Sequence, residues 1–175
     1  MRLDKEVFVP KQHVFKNDSF QLSYRLYGAT HGLNPEFITT HSLQQSKEIG
    51  KQPIPVVFLH GNLNSSCLFP AFENTFEICT SRNCFIIAID RSGVGQSSFK
   101  LLDRDADEAT NSNYLFEARK YVELIDFILE EAYGDKNKQI GVVGFSSGGL
   151  YALSLASVLN SRVSSLSVLS SDVSS

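Results

Sequence analysis

Three short apolar runs, each ending in a polar or glycine-containing turn, constrain the fold of this chain more than any other feature. They cover residues 55–59 (Pro-Val-Val-Phe-Leu), 84–89 (Cys-Phe-Ile-Ile-Ala-Ile) and 140–143 (Ile-Gly-Val-Val). None of them alternates apolar with polar residues, and unbroken runs are typical of strands buried on both faces of a parallel sheet. Helical patterns cover 114–133 and 147–160, before and after the third run. This order predicts an α/β fold with a doubly wound, mostly parallel sheet.

The remaining segments complete a single partial domain over residues 1–175. Residues 7–27 are rich in aromatic and β-branched side chains and predict two strands joined near Asn17-Asp18. Residues 28–52 are polar and rich in turn formers, and we expect a surface insertion there. Residues 163–169 predict a last strand. The spacing of apolar residues predicts that Leu115 of the first helix faces the core. In the second helix it predicts the same for Leu150, Leu153, Leu155 or Ala156, and Leu159.

The charge balance excludes several classes of partner. The 175 residues include 16 Lys plus Arg and 19 Asp plus Glu, for a net charge of −3. Such a chain lacks the basic patch that nucleic acid or an anionic membrane needs. No apolar run approaches the ~20 residues of a membrane span, and the charged start shows no secretory signal. The three cysteines, Cys67, Cys79 and Cys84, are not spaced like metal ligands. We therefore expect reduced thiols, no metal and a cytoplasmic location.

One motif carries chemistry: the segment Gly144-Phe145-Ser146-Ser147-Gly148. It directly follows a buried-strand pattern and directly opens a helix pattern, which is the context of a nucleophile elbow. In such a turn the serine backbone is strained, and a side chain at Gly144 or Gly148 would collide with its neighbours. The turn lifts the hydroxyl to the carboxyl edge of the sheet, where α/β folds bind ligands. The alternative is a glycine-rich turn with no catalytic role.

Two other strand ends meet the same edge. His60-Gly61-Asn62 follows the first buried strand, and its glycine lets the next backbone N–H turn toward the site. The N–H groups of Asn62 and Ser147 would then form an oxyanion hole. The segment 90–98 (Asp-Arg-Ser-Gly-Val-Gly-Gln-Ser-Ser) follows the second strand, and we interpret it as a structured turn.

Together, and in this order, these three motifs resemble the N-terminal part of an α/β-hydrolase-fold protein (AB hydrolase-1 type), from about residue 7 to about residue 170. The resemblance implies that Ser146 is the nucleophile, that Asn62 and Ser147 provide oxyanion-hole amides, and that His60 supports the hole loop. It also implies hydrolysis of an ester, thioester or amide through an acyl-enzyme, with a small-molecule acyl substrate and no cofactor.

The sequence departs from this family after the serine. The family's catalytic acid and histidine follow the nucleophile along the chain, but here only Asp172 and no histidine follow Ser146. Asp172 is either the acid or an exposed terminal residue. His60 is a poor substitute base because of its place in the hole loop. We therefore expect a form truncated after about the sixth strand, with weak or no activity.

Two other functions remain open at this stage. One is a non-catalytic ligand-binding or regulatory protein on the same fold, since an elbow is present without a base. The other is a nucleotide-binding module, since Gly93-Val94-Gly95-Gln96-Ser97-Ser98 half-matches the dinucleotide fingerprint. Ser98 replaces the third glycine, and no helix pattern opens there, which argues against it.

Overall fold

The computed structural model describes residues 10–46, 51–62, 65–67, 75–99 and 111–169. The strands are β1 (Gln12–Lys16), β2 (Phe20–Gly28), β3 (Ile54–Leu59), β4 (Cys84–Ile89), β5 (Ser98–Phe99), β6 (Ile140–Phe145) and β7 (Val163–Leu169). The helices are α1 (Pro35–Thr40), α2 (Thr75–Ser81), α3 (Asn111–Tyr133) and α4 (Gly148–Leu159), and a 3₁₀ turn at Asn160–Arg162 leads into β7.

These strands form one mixed sheet in the order β1-β2-β4-β3-β6-β7, and β5 pairs with β2. β4, β3, β6 and β7 are parallel neighbours, whereas β1 and β2 form an antiparallel hairpin whose second strand runs against β4. The hairpin turns where Asn17 Oδ1 accepts hydrogen bonds from the N–H groups of Ser19 and Phe20. The α/β class and the mostly parallel, hydrolase-like sheet are confirmed.

Both faces of the central strands are covered, which explains their unbroken apolar runs. On one face, Val57, Leu59 and Ile87 pack into the main core with side chains from α1, α3 and α4. On the other face, Phe58 and Ile86 pack with Cys79 of α2. Alternate residues of one strand therefore point to helices on opposite sides, as a doubly wound sheet requires.

The expected inward face of α4 differs from the one observed. Leu155 and Leu159 are buried as expected, whereas Leu150 and Leu153 are 50 % and 51 % exposed and Ala152 is buried instead. The first half of α4 lies tightly against β6, where Ala152 approaches Gly144, so a small residue faces the sheet there. In α3, Leu115 is likewise 39 % exposed, and Leu124 lies in the core instead.

The segment expected to form a surface insertion, residues 28–52, contributes to the core. Leu33, Phe37 and Ile38 are buried in the main cluster, the last two from α1. Asn34 caps α1 by accepting a hydrogen bond from Glu36 N–H, and Pro35 occupies its first turn. The sequence pattern does not predict the burial of these side chains because polar residues surround them and make the segment polar on average.

Two further features bear on function. The thiols of Cys67, Cys79 and Cys84 are free, and burial raises the pKa of Cys79 to about 12. Among the helices of the described ranges, none combines the length and the apolarity needed to cross a membrane.

Candidate active site

Three loops meet at the carboxyl edge of the parallel strands. Leu59 is paired with Ile89 on one side and with Gly144 on the other, so β3, β4 and β6 end at nearly the same level. The segments that begin at His60, Asp90 and Ser146 therefore leave the sheet side by side. This juxtaposition is the one that the sequence motifs predict.

Ser146 lies in a strained turn between β6 and α4. Its φ is 54°, in the left-handed region that side chains other than glycine rarely occupy. Its N–H donates to the carbonyl of Leu169 on β7 at 2.7 Å, and its carbonyl accepts from Gly149 N–H at 2.9 Å. Ser146 is exposed. The turn thus presents the serine at the surface of the sheet edge.

The glycines of the motif are required by close approach. A Cβ on Gly144 would lie 2.6 Å from the carbonyl oxygen of Gly148 and 2.7 Å from Ala152 Cβ. A Cβ on Gly148 would lie 2.6 Å from His60 O and would clash still more with Leu59 O. The start of α4 therefore rests directly on the end of β3, as the elbow prediction requires.

Gly61 brings the loop after β3 against the serine. A Cβ on Gly61 would lie 2.9 Å from Ser146 Cβ and 3.4 Å from Ser146 Oγ. The next residue is Asn62, and Ser147 follows the serine itself. In the described part of the chain, neither the Asn62 nor the Ser147 amide donates a hydrogen bond to another residue. Two amide donors flanking this contact thus have no acceptor among the residues that the structure describes.

His60 is buried, with both ring nitrogens engaged. Its Nε2 accepts a hydrogen bond from Arg91 N–H at 3.1 Å, so the proton resides on Nδ1, which donates to Gly61 O at 2.8 Å. Burial, the largest influence, lowers the pKa of His60 below its ordinary value of 6.5. This neutral, fully used ring supports the loop and has no nitrogen left to accept a proton from Ser146.

The turn after β4 is tightly organised around Asp90. Its carboxylate accepts hydrogen bonds from Ser23 Oγ at 2.8 Å and from Ser66 N–H at 2.5 Å. Its carbonyl accepts from Ser97 Oγ at 2.7 Å. A Cβ on Gly95 would lie 2.6 Å from the carboxylate, and its φ of 58° also favours glycine. This geometry matches the structured turn expected for the segment.

The sequence motifs predict no role for Arg91, although the structure places it at the site. Its guanidinium donates to Gly61 O and to Asn62 Oδ1, and it lies over the ring of Tyr151. The sequence contains one indication of this position: Arg91 is a charged residue shortly after a buried strand, at the sheet edge that it shares with His60.

A model of the alpha/beta hydrolase fold matches residues 54–175. The chain belongs to the alpha/beta hydrolase fold family. No match was found among curated proteins.

Solved structures of other alpha/beta hydrolases share this architecture at low sequence identity. The N-acyl homoserine lactonase AidH, complexed with N-butanoyl homoserine, has a TM-score of 0.57 and 16 % identity, with 90 % of this chain and 44 % of that one covered. The thioesterase domain from the curacin biosynthetic pathway has a TM-score of 0.55 and 16 % identity, with 92 % and 46 % covered. A mutant Vigna radiata epoxide hydrolase has a TM-score of 0.57 and 16 % identity, with 91 % and 38 % covered. This alpha/beta hydrolase chain thus spans less than half the length of each.

The other three histidines of this chain lie far from Ser146. His13 is on β1, four strand positions from β6, or about 19 Å at the usual strand spacing. The His41 ring packs at an angle against the His13 ring, with ring centroids 4.8 Å apart. His31 Nε2 lies 2.9 Å from Lys51 O, which precedes β3 at the end opposite His60.

Asp172, the expected candidate for the acid, lies outside the described residues. Within the ranges that are described, no three side chains of the His, Cys, Asp or Glu types stand close enough together to hold a metal ion.

Proposed function

We propose that this chain is the nucleophile-bearing part of a serine hydrolase that acts on small acyl substrates: esters, thioesters or amides. The observation that carries the proposal is Ser146, exposed and left-handed at the sheet edge, with Gly61 packed against it. A serine hydroxyl in this position is a nucleophile for an acyl carbonyl. A lactonase and a thioesterase among the structural neighbours add support, since their names describe acyl chemistry.

The proposed reaction begins when Ser146 Oγ attacks the carbonyl carbon of the substrate. The carbonyl oxygen takes up negative charge, and the N–H groups of Asn62 and Ser147 donate to it. This role is supported by the lack of another acceptor for either amide within the described ranges. The Ser146 proton passes to solvent, the bond to the alcohol, thiol or amine breaks, and that group leaves with a proton from solvent. Water then adds to the acyl carbonyl, the bond from the acyl carbon to Ser146 Oγ breaks, and the acid departs as Ser146 regains its hydroxyl proton.

The hydroxyl proton has no base to accept it among the histidines of this chain. His60 uses both of its ring nitrogens, and His13, His31 and His41 lie elsewhere in the fold. Loss of a triad member costs serine hydrolases about 10⁴-fold or more in rate. We therefore propose that this chain by itself reacts slowly at Ser146.

The test is covalent labelling by a fluorophosphonate, followed by intact-mass and peptide analysis. We expect slow formation of a single adduct at Ser146 and none in Ser146→Ala. Free imidazole should accelerate the labelling in proportion to its unprotonated concentration, because it replaces the missing base. Ser157→Ala is the matched control: it removes an exposed serine of α4 away from the turn and should be labelled like the wild type.

Three outcomes would contradict the proposal in different ways. Labelling at another serine would remove Ser146 from the role of nucleophile. Rapid labelling without imidazole would contradict the predicted slowness. Tight binding of an acyl ligand, with no adduct even at high imidazole concentration, would favour the non-catalytic binding protein instead.

A further inference from the structure

The loop that carries Asn62 is held by one side chain from the neighbouring strand end. Arg91 Nη2 donates to Gly61 O at 2.9 Å and to Asn62 Oδ1 at 3.0 Å. The backbone N–H of the same residue donates to His60 Nε2 at 3.1 Å. All three residues of the loop, 60–62, therefore contact Arg91.

The guanidinium also contacts the helix that follows Ser146. Its central carbon lies 4.8 Å from the centre of the Tyr151 ring in α4. Tyr151 in turn meets Tyr114 edge-on, with ring centroids 4.8 Å apart, and Tyr121 at 6.5 Å. These α3 aromatics support the Tyr151 ring, so Arg91 joins the loop on one side to the serine-bearing element on the other.

The environment of Arg91 explains why an arginine suits this position. The residue is only 8 % exposed, and burial strengthens its charge-assisted hydrogen bonds to the two loop oxygens. A planar guanidinium packs on an aromatic ring while its Nη2 donates to both loop oxygens, whereas a lysine ammonium is attracted to a ring but has no planar face to pack on it. Its Nε has no hydrogen-bond partner among the described residues, so the Nη2 bonds and the stacking carry the contact.

We propose that Arg91 is a positioning residue, which fixes the Asn62 amide against Ser146 by tying loop 60–62 to α4. This inference rests on the proposed function, because the fixed amide matters only if an oxyanion forms there. Complete loss of an oxyanion donor costs about 10²- to 10³-fold in rate. An amide that is present but no longer held in place should provide only part of this stabilisation. We expect the rate to fall at least about tenfold.

The experiment compares Arg91→Ala and Arg91→Lys with Arg25→Ala. Arg25 is the matched control because it is a partly buried arginine on β2 whose guanidinium donates to Pro10 O and Gln12 Oε1, away from the site. The first measurement is the maximal rate of fluorophosphonate labelling at Ser146, separated from the probe concentration at half-maximal rate. We expect Arg91→Ala to lower the maximal rate at least about tenfold with the half-maximal concentration nearly unchanged.

The second measurement does not depend on reactivity. The amide N–H of residue 91 exists in every variant and donates to His60 Nε2 on the loop, so its hydrogen-exchange rate reports how firmly the loop is held. We expect faster exchange in Arg91→Ala, an intermediate rate in Arg91→Lys, and the wild-type rate in Arg25→Ala. If Arg91→Ala does not fold, Arg91→Lys provides both measurements.

The outcomes separate the two proposals. Unchanged exchange and an unchanged labelling rate in the Arg91 variants would overturn the positioning role and leave the function of Ser146 standing. Equal losses in Arg91→Ala and Arg25→Ala would also overturn it, since they would reflect general destabilisation. Absence of any Ser146 adduct in the wild type would overturn the proposed function, while the exchange rates would still decide whether Arg91 holds the loop.

Discussion

At the scale of single residues, the strain at Ser146 is balanced by its neighbours. A left-handed conformation costs a non-glycine residue roughly 1–2 kcal/mol, and here the hydrogen bonds to Leu169 and Gly149 help to hold it. Gly61, Gly144 and Gly148 provide the space around the turn. The geometry of the serine is thus set by residues from β3, β6, α4 and β7 together.

This packing predicts unequal effects for two glycine-to-alanine substitutions. Gly134→Ala should lower the free energy of unfolding by roughly 1–2 kcal/mol, because its φ is 68° but no atom lies near its new methyl group. Gly148→Ala should lower it by about 3 kcal/mol or more, because the methyl group meets the backbone of Leu59 and His60. Urea unfolding of both variants provides the comparison, and a smaller loss for Gly148→Ala would contradict the close contact between α4 and β3.

At the scale of elements, α4 illustrates what periodicity predicts poorly. The pattern correctly predicts a helix after Ser146 with Leu155 and Leu159 inward, but it also predicts Leu150 and Leu153 inward, whereas these two are half exposed and Ala152 is buried. α4 has apolar residues around most of its surface, so spacing alone does not select a face. The choice is made by the contact between Gly144 and Ala152, which belongs to the tertiary structure.

Paired substitutions on this helix test its orientation. Leu155→Ala should lower the free energy of unfolding by about 2–5 kcal/mol, because it leaves a cavity in the core. Leu153→Ala should change it by less than about 0.5 kcal/mol, because that side chain is half exposed in this chain. Chemical denaturation measures both values, and equally large losses in the two variants would show that Leu153 is buried as the sequence pattern predicts.

The central strands, by contrast, are predictable because their chemistry is local. An unbroken apolar run needs two covered faces, and β3, β4 and β6 have them. Burial within residues 28–52 is harder to predict from sequence, because the three buried side chains are spread through a polar segment: Leu33, Phe37 and Ile38.

At the scale of the whole molecule, two histidines link stability to pH. The rings of His13 and His41 pack at an angle against each other and against Tyr24, and His41 Nδ1 lies 3.1 Å from Phe37 O. Burial, assisted by the charges of His41, Lys11 and Arg25, lowers the pKa of His13 to about 4. Burial also lowers the pKa of His41, against opposing contributions from Phe37 O and Glu131.

The direction of the resulting pH dependence follows from proton binding. Between pH 6.5 and about 4 the unfolded chain binds more protons at His13 than the folded chain does, so the free energy of unfolding falls as the pH falls. Above pH 6.5 this loss is absent. His13→Phe, which retains a ring, should reduce the decrease in melting temperature between pH 7.5 and 4.5. Parallel melting curves for this variant and the wild type would show that His13 does not contribute.

The sequence motifs predict which segments meet at the candidate site, but they do not predict the side-chain contacts that join those segments. Ser146, Asn62 and Ser147 follow from motifs at strand ends, and the structure brings their segments to one edge. The bridge from Arg91 to Asn62 and Tyr151 joins residues 29 and more positions apart. Such a contact depends on strand order, which no local pattern specifies.

The hydrogen bond from Ser146 N–H to Leu169 O has a consequence for biosynthesis. β7 is synthesised after Ser146. A nascent chain that has emerged only through α4 therefore lacks the hydrogen bond from Ser146 N–H to Leu169 O that holds the turn. Ribosome-bound intermediates of that length should therefore have a relaxed backbone at position 146. The left-handed turn would then form late, when β7 docks beside β6.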